Sequence, residues 1–485
     1  MAIDAGLRHL ALGTLLAAFP GPSAPDWAAR LLADGLAGHT LFGTNIAEPA
    51  QVRRLTAGLR TVRRDALIAI DEEGGDVTRL AHRTGSPYPG NAALGAVDDP
   101  ELTRTVYAAI GADLVDAGIN LDLAPTVDVN TAADNPIIGT RSFGAEPLRV
   151  ARHAAAAITG LQSTGVAACA KHFPGHGATL TDSHLELPTV DAGLDLLRER
   201  DLPPFAAAVA AEAQAIMTAH IRVPVLTGAG PATFSRAVLT DLLRGEYGFR
   251  GAVVTDALEM KGATLAAGGI GAAAVLALAA GADLLCIGAR VSLDLVDLVA
   301  AEIVAAVGDG RLPLSRLEEA AERTAALAAW TQRPVTPQRH DAGLGYAAAR
   351  RAVRVEGSLV ELADPLVVQL ESGHSIAEGR VPWGLAPHLN GTELVSVAPA
   401  QARPERLAEQ AGSRPIVIVG RHTHRAAATR ELIEALAARH TVGVVEMGWP
   451  ADWRPVGARA FVTTYGASHA NGRAAAEALG LTAPK

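Results

Sequence analysis

The sequence predicts an α/β protein: a (β/α)8 barrel of the TIM type followed by a smaller three-layer α/β sandwich domain. Three observations carry that prediction. Eight short apolar, β-prone runs alternate with Ala-, Leu- and Arg-rich segments of helical spacing between residues 14 and 288. The runs tend to end in polar residues capable of chemistry, as barrel strands do where their C-terminal ends converge on one mouth. Beyond residue 330 the pattern breaks, and a second, shorter series of β-like runs begins. A chain of 485 residues holds a barrel of roughly 250 residues or more plus one further unit. A large doubly wound sheet would give a similar alternation, so the strand ends are what favour the barrel.

In order, the barrel strands are expected at "TLLAAF" (14–19), "HTLFG" (39–43), "ALIAID" (66–71), "INLDLAP" (119–125), "VAACAKH" (166–172), "AIMTAH" (215–220), "AVVTD" (252–256) and "ADLLCIG" (282–288). The first lies within "LRHLALGTLLAAFPGPSAP", which superficially resembles a secretory h-region. Gly13 and Thr14 interrupt it and little positive charge precedes it, so it reads as a helix end followed by a buried strand. Amphipathic connections include "PAQVRRLTAGLRTVRRD" (49–65) and "DAGLDLLRERDLPPFAAAVAAEA" (191–213). "PLSRLEEAAERTAALAAW" reads as a further helix with Ser315 as N-cap and Glu318 completing a capping box. Pro and Gly then punctuate "TQRPVTPQRHDAGLGY" (331–346). The barrel domain is therefore expected over 1–335, a linker over 336–349 and the sandwich over 350–485. In the last, "AVRVEG", "PLVVQLES", "ELVSVAP", "PIVIVG", "TVGVVEM" and "RAFVTTYG" are the β-like runs, with helical segments such as "AAATRELIEALAARH" between some of them. No Gly-x-Gly-x-x-Gly or Walker-type loop occurs there, so no nucleotide is assigned to it.

Composition narrows the function classes. Hydrophobic residues at 49% against 19% charged indicate sizeable cores rather than disorder. A net charge of −9 disfavours a nucleic-acid groove or an anionic membrane surface as the main partner. No run approaches the ~18 to 20 apolar residues of a membrane span, so a soluble chain is expected. Cys169 and Cys286 sit inside apolar runs, which suits buried thiols in a reducing compartment, and a cytoplasmic location is expected.

The chemistry concentrates at the strand ends. Asp71, Asp122, Lys171 with His172, His220 and Asp256 are scattered in sequence, yet a barrel would bring them to one mouth. The densest stretch is "KHFPGHGATLTDSH" (171–184). A zinc site would need ligands at rigid spacing, and His172, His176 and His184 are separated by Pro174, Gly175 and Gly177 with no Cys or Glu cluster, so no metal is expected. A phosphate-binding loop would place its lysine after the glycines, and here Lys171 precedes them. Lysine is rare in this chain, with Lys171, Lys261 and Lys485 the three among 42 Lys and Arg residues. At a strand end that rarity points to a compact three-donor ammonium. Either Asp182 only caps a turn or, in an extended backbone, Asp182 and His184, two apart, project to the same side. The carboxylate can then take one imidazole nitrogen, fix the tautomer and favour the charged ring, which makes a proton shuttle. Asp256, ending an apolar strand abruptly, is the candidate nucleophile for an anomeric carbon, with His184 as the second group that protonates the leaving oxygen.

Together these stretches carry a resemblance. "IDEEGGDVTRL" (70–80), "NLDLAPTVDVN" (120–130), "NPIIGTRSFG" (135–144), "ACAKHFPGHGATLTDSH" (168–184), "MTAHI" (217–221) and "VVTDALEM" (253–260) resemble glycoside hydrolase family 3, and more narrowly its β-N-acetylglucosaminidase branch. The resemblance spans the barrel; the C-terminal part is similar only to the α/β sandwich of two-domain members. It implies Asp256 as nucleophile, His184 with Asp182 as acid/base dyad on a mobile loop, and Asp71, Arg141, Lys171 and His172 as sugar-binding residues. The chain departs from the family pattern in "GGDVTR", where Asp76 replaces a usual basic residue, and in "TDAL", where two adjacent acids are common.

The expected activity is a retaining exo-β-N-acetylglucosaminidase acting on cell-wall-derived or chitin-like glycosides, with a small carbohydrate as partner and no cofactor. Alternatives are a β-N-acetylglucosaminide phosphorylase, a β-glucosidase or β-xylosidase of the same fold, and a catalytically silent sugar-binding sensor. The oligomeric state is left open by the sequence.

Overall fold

The computed structural model describes residues 4–335 and 340–483. Contacts divide the chain into two compact units. One comprises Met1–Glu72, Pro100–Pro136 and Ala145–His340, and the other Glu73–Asp99, Ile137–Gly144 and Asp341–Lys485. The boundary is thus crossed several times: the segment after Glu72 and the short stretch Ile137–Gly144 join the unit that holds the C-terminal sheet.

In the first unit, β1 (Leu15–Ala17), β2 (Gly38–Leu41), β3 (Leu67–Ile70), β4 (Leu121–Asp122), β5 (Ala167–Phe173), β6 (Ala215–Thr218), β7 (Ala252–Thr255) and β8 (Leu285–Cys286) form one sheet in the order β7-β6-β5-β4-β3-β2-β1-β8. All neighbours are parallel. A parallel bridge between Val254 and Leu284 joins β7 to the approach of β8 and brings the two ends of the sheet together. Asp283 secures this seam: its buried carboxylate accepts from Val253 N at 2.8 Å and from Arg316 at 2.6 Å, and Arg244 also binds it. Each of the eight expected runs overlaps one of these strands, with β2 beginning one residue before its run and β5 ending one residue after its run.

The barrel interior is filled by alternate residues. Leu67 and Ala69, Leu121 and Leu123, Ala167 and Cys169, Ala215 and Met217, Ala252 and Val254, and Leu284 and Cys286 share one buried cluster. Side chains two apart lie on one face of a strand. Continuing that count one step past the apolar pairs gives Asp71, Lys171 and Asp256, so the strand period itself aims these three groups along the inward face at the C-terminal ends.

In the second unit, β9 (Arg354–Gly357), β10 (Leu366–Leu370), β11 (Leu394–Val397), β12 (Ile416–Gly420), β13 (Val442–Glu446) and β14 (Ala460–Thr463) form a sheet ordered β11-β10-β12-β13-β14-β9. It is parallel except for β9, which runs antiparallel on an edge. Val367, Val417, Val419 and Val445 bury one face with helical partners such as Ala475 and Ala476, while Leu366, Val368, Ile416 and Ile418 bury the other with Leu432 and Ile433. Burial on both faces explains why these strands read as continuous apolar runs.

Two local expectations are corrected. The helix Leu314–Trp330 is preceded by Pro313 and has no side-chain cap, so Ser315 lies inside its first turn instead of capping it. Pro313, with φ −60 and ψ 134, ends the extended approach one step earlier. The expected linker 336–349 falls partly on 336–339, outside the described residues, and its second half is occupied by the helix Leu344–Ala352, whose "AAARRA" segment favours helix.

Candidate active site

The site in the barrel unit is assembled from β3, β5, β7 and the loops after β4 and β5. Lys171, its side chain 2% exposed, donates from Nζ to Asp71 Oδ1 at 2.8 Å. This buried ion pair fixes one sugar-binding candidate against another. In the layer below, burial pushes the Cys169 thiol far up, and Lys171, Asp71, Asp122 and Asp256 all lie close enough to act on it. Asp71, Lys171 and Asp256 therefore surround the same end of the barrel.

His172 is oriented by a residue that sequence reasoning had not singled out. Asp128, fully buried in the loop after β4, bonds His172 Nδ1 at 2.7 Å and accepts from His176 N at 2.7 Å. Burial would raise its carboxyl, but His172 and His176 beside it hold it below the ordinary range. The available signal was a further acid in the polar-ended stretch "TVDVN", which a capping reading absorbs.

His176 ties the loop together. Its Nδ1 meets Thr179 Oγ1 at 2.8 Å and its Nε2 meets Ser183 Oγ at 3.1 Å. Burial lowers its pKa to about 4, so the ring is neutral near pH 7. Gly175 and Gly177 have packing reasons beyond flexibility. A Cβ on Gly175, at φ +126, would lie 2.7 Å from Asp201 Cβ, and one on Gly177 would lie 1.9 Å from the Val129 carbonyl oxygen.

Beyond this anchor, Asp182 Oδ1 accepts from the His184 backbone N at 2.8 Å and bonds His184 Nδ1 at 2.7 Å. Burial would raise the Asp182 carboxyl, but the His184 ring and N–H hold it below its ordinary value. Asp182 thus sets its carboxylate against Nδ1 of the His184 ring.

Asp256 follows β7. Its Oδ1 accepts from Ala257 N at 2.7 Å, and its side chain is partly open to solvent. Burial pushes this carboxyl up, yet His220, His172 and His184 outweigh it and bring the pKa to about 2. The acid is therefore an anion throughout the working range of most enzymes, as a nucleophile must be. His220 itself is pinned between Thr233 Oγ1 at 2.8 Å and the Ala257 carbonyl at 3.1 Å, an orienting position beside Asp256.

Two candidates are engaged by neighbouring protein groups. Asp122 turns to structure: it is fully buried, accepts from Glu72 N at 3.0 Å, and burial raises its pKa well above the ordinary value. Arg141 belongs to the second unit, where Glu73 grips its guanidinium through two bonds of 2.9 and 2.7 Å. Among the described residues no group of three or more His, Cys, Asp or Glu is arranged to hold a metal ion, and no single helix is long and apolar enough to cross a membrane.

Comparisons with known proteins bear on the family. Residues 20–327 match the profile of the glycosyl hydrolase family 3 N terminal domain. Beta-hexosaminidase A of Pseudoalteromonas piscicida is 39% identical over 248 residues, 47% of this chain and 42% of that protein, so this chain aligns with under half of that relative. Beta-hexosaminidase of Stenotrophomonas maltophilia strain K279a is 41% identical over 266 residues, 53% of this chain and 77% of that protein. A solved glycoside hydrolase family 3 beta-N-acetylglucosaminidase from Paenibacillus sp. str. FPU-7 superposes with a TM-score of 0.88 at 33% identity, covering 98% of this chain and 97% of the other. Beta-glucoside phosphorylase BglX, at 18% identity and a TM-score of 0.76, shares the fold. With a barrel ending in Asp71, Lys171 and Asp256 and a family match over most of that barrel, the chain belongs to glycosyl hydrolase family 3 and is a glycoside hydrolase.

Proposed function

We propose that the chain is a retaining exo-β-N-acetylglucosaminidase that removes terminal N-acetylglucosamine from cell-wall-derived or chitin-like glycosides. The observation that carries this reading is the division of labour between two side chains in one barrel mouth. Asp256 is held ionised, with a pKa of about 2, and His184 is held by Asp182 through Nδ1 at 2.7 Å. The names of the relatives, β-hexosaminidases and a β-N-acetylglucosaminidase, support the choice of sugar.

In the first step Asp256 attacks the anomeric carbon while protonated His184 gives its proton to the departing oxygen, so the glycosidic bond breaks as a glycosyl-Asp ester forms. The imidazole left behind is neutral. In the second step it takes a proton from water, whose oxygen displaces Asp256 and restores the β configuration. Asp71, Lys171, His172 and Arg141 bind the sugar's hydroxyls in this scheme. His184 must begin protonated and then act as base, which gives a bell-shaped pH profile.

The test is a panel of chromogenic β-glycosides of N-acetylglucosamine, glucose and xylose, each with and without phosphate. The reading expects fastest release from the N-acetylglucosaminide and no acceleration by phosphate. Phosphate-dependent release of a sugar 1-phosphate would replace hydrolysis with phosphorolysis, and preference for glucose or xylose would overturn the sugar assignment.

A further inference from the structure

We infer that Asp76 is a positioning residue: it fixes the turn that carries Arg141 and so the aim of that side chain. The inference rests on the reading of Arg141 as a sugar-binding residue. Every group in the argument lies within the second unit.

The turn Gly139–Arg141 is held from two sides. On one, Glu73 binds the Arg141 guanidinium in a fork, Arg141 Nη1 donates to the Ile137 carbonyl at 3.0 Å, and the Arg141 carbonyl accepts from Asn91 at 2.6 Å. On the other, Thr140 donates its hydroxyl to Asp76 Oδ2 at 2.6 Å. The same carboxylate accepts from Ala467 N at 2.7 Å and faces Arg421 Nη2 at 3.4 Å. Arg421 in turn binds Glu378 at 2.9 Å. Arg421 directly follows β12 and Ala467 lies in the loop after β14, so both donors are set by parallel strands of the sheet.

Asp76 is therefore where three segments meet: its own glycine turn, the Arg141 turn and the strand ends. Its side chain is 3% exposed and that of Arg421 is 8% exposed. A buried carboxylate is costly unless its lone pairs are met by donors, and these donors sit at separate, fixed points. The Thr140 hydroxyl thus has one favourable address, and the adjacent Cα of Arg141 follows it across one planar peptide. Arginine recognises ligands through the direction of its fork, so the aim of the turn matters more than its mere presence. The departure at Asp76 noted in the sequence is, in the structure, an acid matched to Arg421.

Thr140→Val in the full chain removes the hydroxyl donor while keeping Asp76, Arg421 and Glu378. The expected result is a KM for a chromogenic β-N-acetylglucosaminide raised about tenfold, kcat within about twofold, and recovery in Thr140→Ser. Asp76→Asn should raise KM similarly and also lower the melting temperature. Should Asp76→Asn fail to fold, the valine and serine pair still decides. A Thr140→Val enzyme with the parent KM, or a serine variant that recovers nothing, overturns the inference. Affinity for N-acetylglucosamine, read by calorimetry in the same proteins, separates it from the activity. Weakened binding in Thr140→Val without hydrolysis by the parent sinks the glycosidase reading and keeps this one.

Discussion

Asp256 directly follows β7 of the barrel and Glu446 ends β13 of the sandwich, so each sheet places an acid at the end of a parallel strand. Their surroundings differ. Glu446 is 2% exposed and its two oxygens accept from His422 N at 2.7 Å, Thr423 N at 2.8 Å, Thr423 Oγ1 at 2.6 Å and Gly448 N at 2.6 Å. Asp256 receives Ala257 N on one oxygen and keeps a partly open side chain among imidazoles. The first acid is consumed in joining loops, and the second supplies the nucleophile in the proposed scheme. A strand-end acid therefore marks a site only when the fold leaves its lone pairs unspent.

Substitution should separate the two roles. Asp256→Asn removes the proposed nucleophile and should lower kcat by about a thousandfold or more, a barrier increase of ~4 kcal/mol, with little change in unfolding. Steady-state rates on a chromogenic substrate together with a urea melt check both halves. Next in size, Asp182→Asn should cost about ten- to a hundredfold in kcat, because a neutral amide supports the charged imidazole less well. The alkaline limb of its pH profile should also move to lower pH. The acid limb belongs elsewhere than Asp256. A carboxyl depressed to about 2 stays ionised above that value and loses its charge only as pH falls through it. An acid limb near pH 2 would report Asp256 itself losing its charge, whereas a limb at higher pH marks another group.

Glu446→Gln should do the reverse of Asp256→Asn. Its amide presents a donor to a nest of donors, so about 2 kcal/mol of stability should go while kcat holds. Loss of activity in a folded Glu446→Gln protein would blur the comparison.

The smallest effect concerns a third acid, Asp201, which is fully buried with one oxygen lacking any hydrogen bond. Burial outweighs Arg200 and raises its pKa from 3.8 to about 6. The folded chain thus binds this proton more tightly than the unfolded one. That contribution is complete below the unfolded value and is lost as pH rises through about 6. Asp201→Asn should then stabilise the protein at pH 8 by roughly 1 to 2 kcal/mol and hardly at all at pH 4. Denaturant unfolding at the two pH values measures this, and equal effects at both would refute it.

What could be read from sequence follows from the range of each interaction. The barrel and sandwich strands were legible because parallel strands are buried on both sides and appear as apolar runs, and the period of two extends from Leu67, Ala167 and Ala252 to Asp71, Lys171 and Asp256. The pairing of Asp182 with His184 was legible because it spans two residues. The backbone there is a turn, however, with Leu185 N and Glu186 N donating to the Asp182 carbonyl, in place of the extended segment expected. Asp128 was not, since its partners His172 and His176 lie 44 and 48 residues away. Glu73 and Asp76 were equally opaque as partners, because Arg141 and Arg421 reach them only through the fold. The packing role of the glycines in "HFPGHG" was likewise hidden, because only the position of Asp201 and Val129 reveals it.

The central claim is that Asp256 forms a covalent link with the sugar and that water then restores the configuration. Proton NMR of the reaction mixture, recorded before mutarotation equilibrates the product, tests it directly. The account predicts that the β anomer of N-acetylglucosamine appears first. First appearance of the α anomer would mean a single displacement and would contradict the assignment of Asp256 as nucleophile.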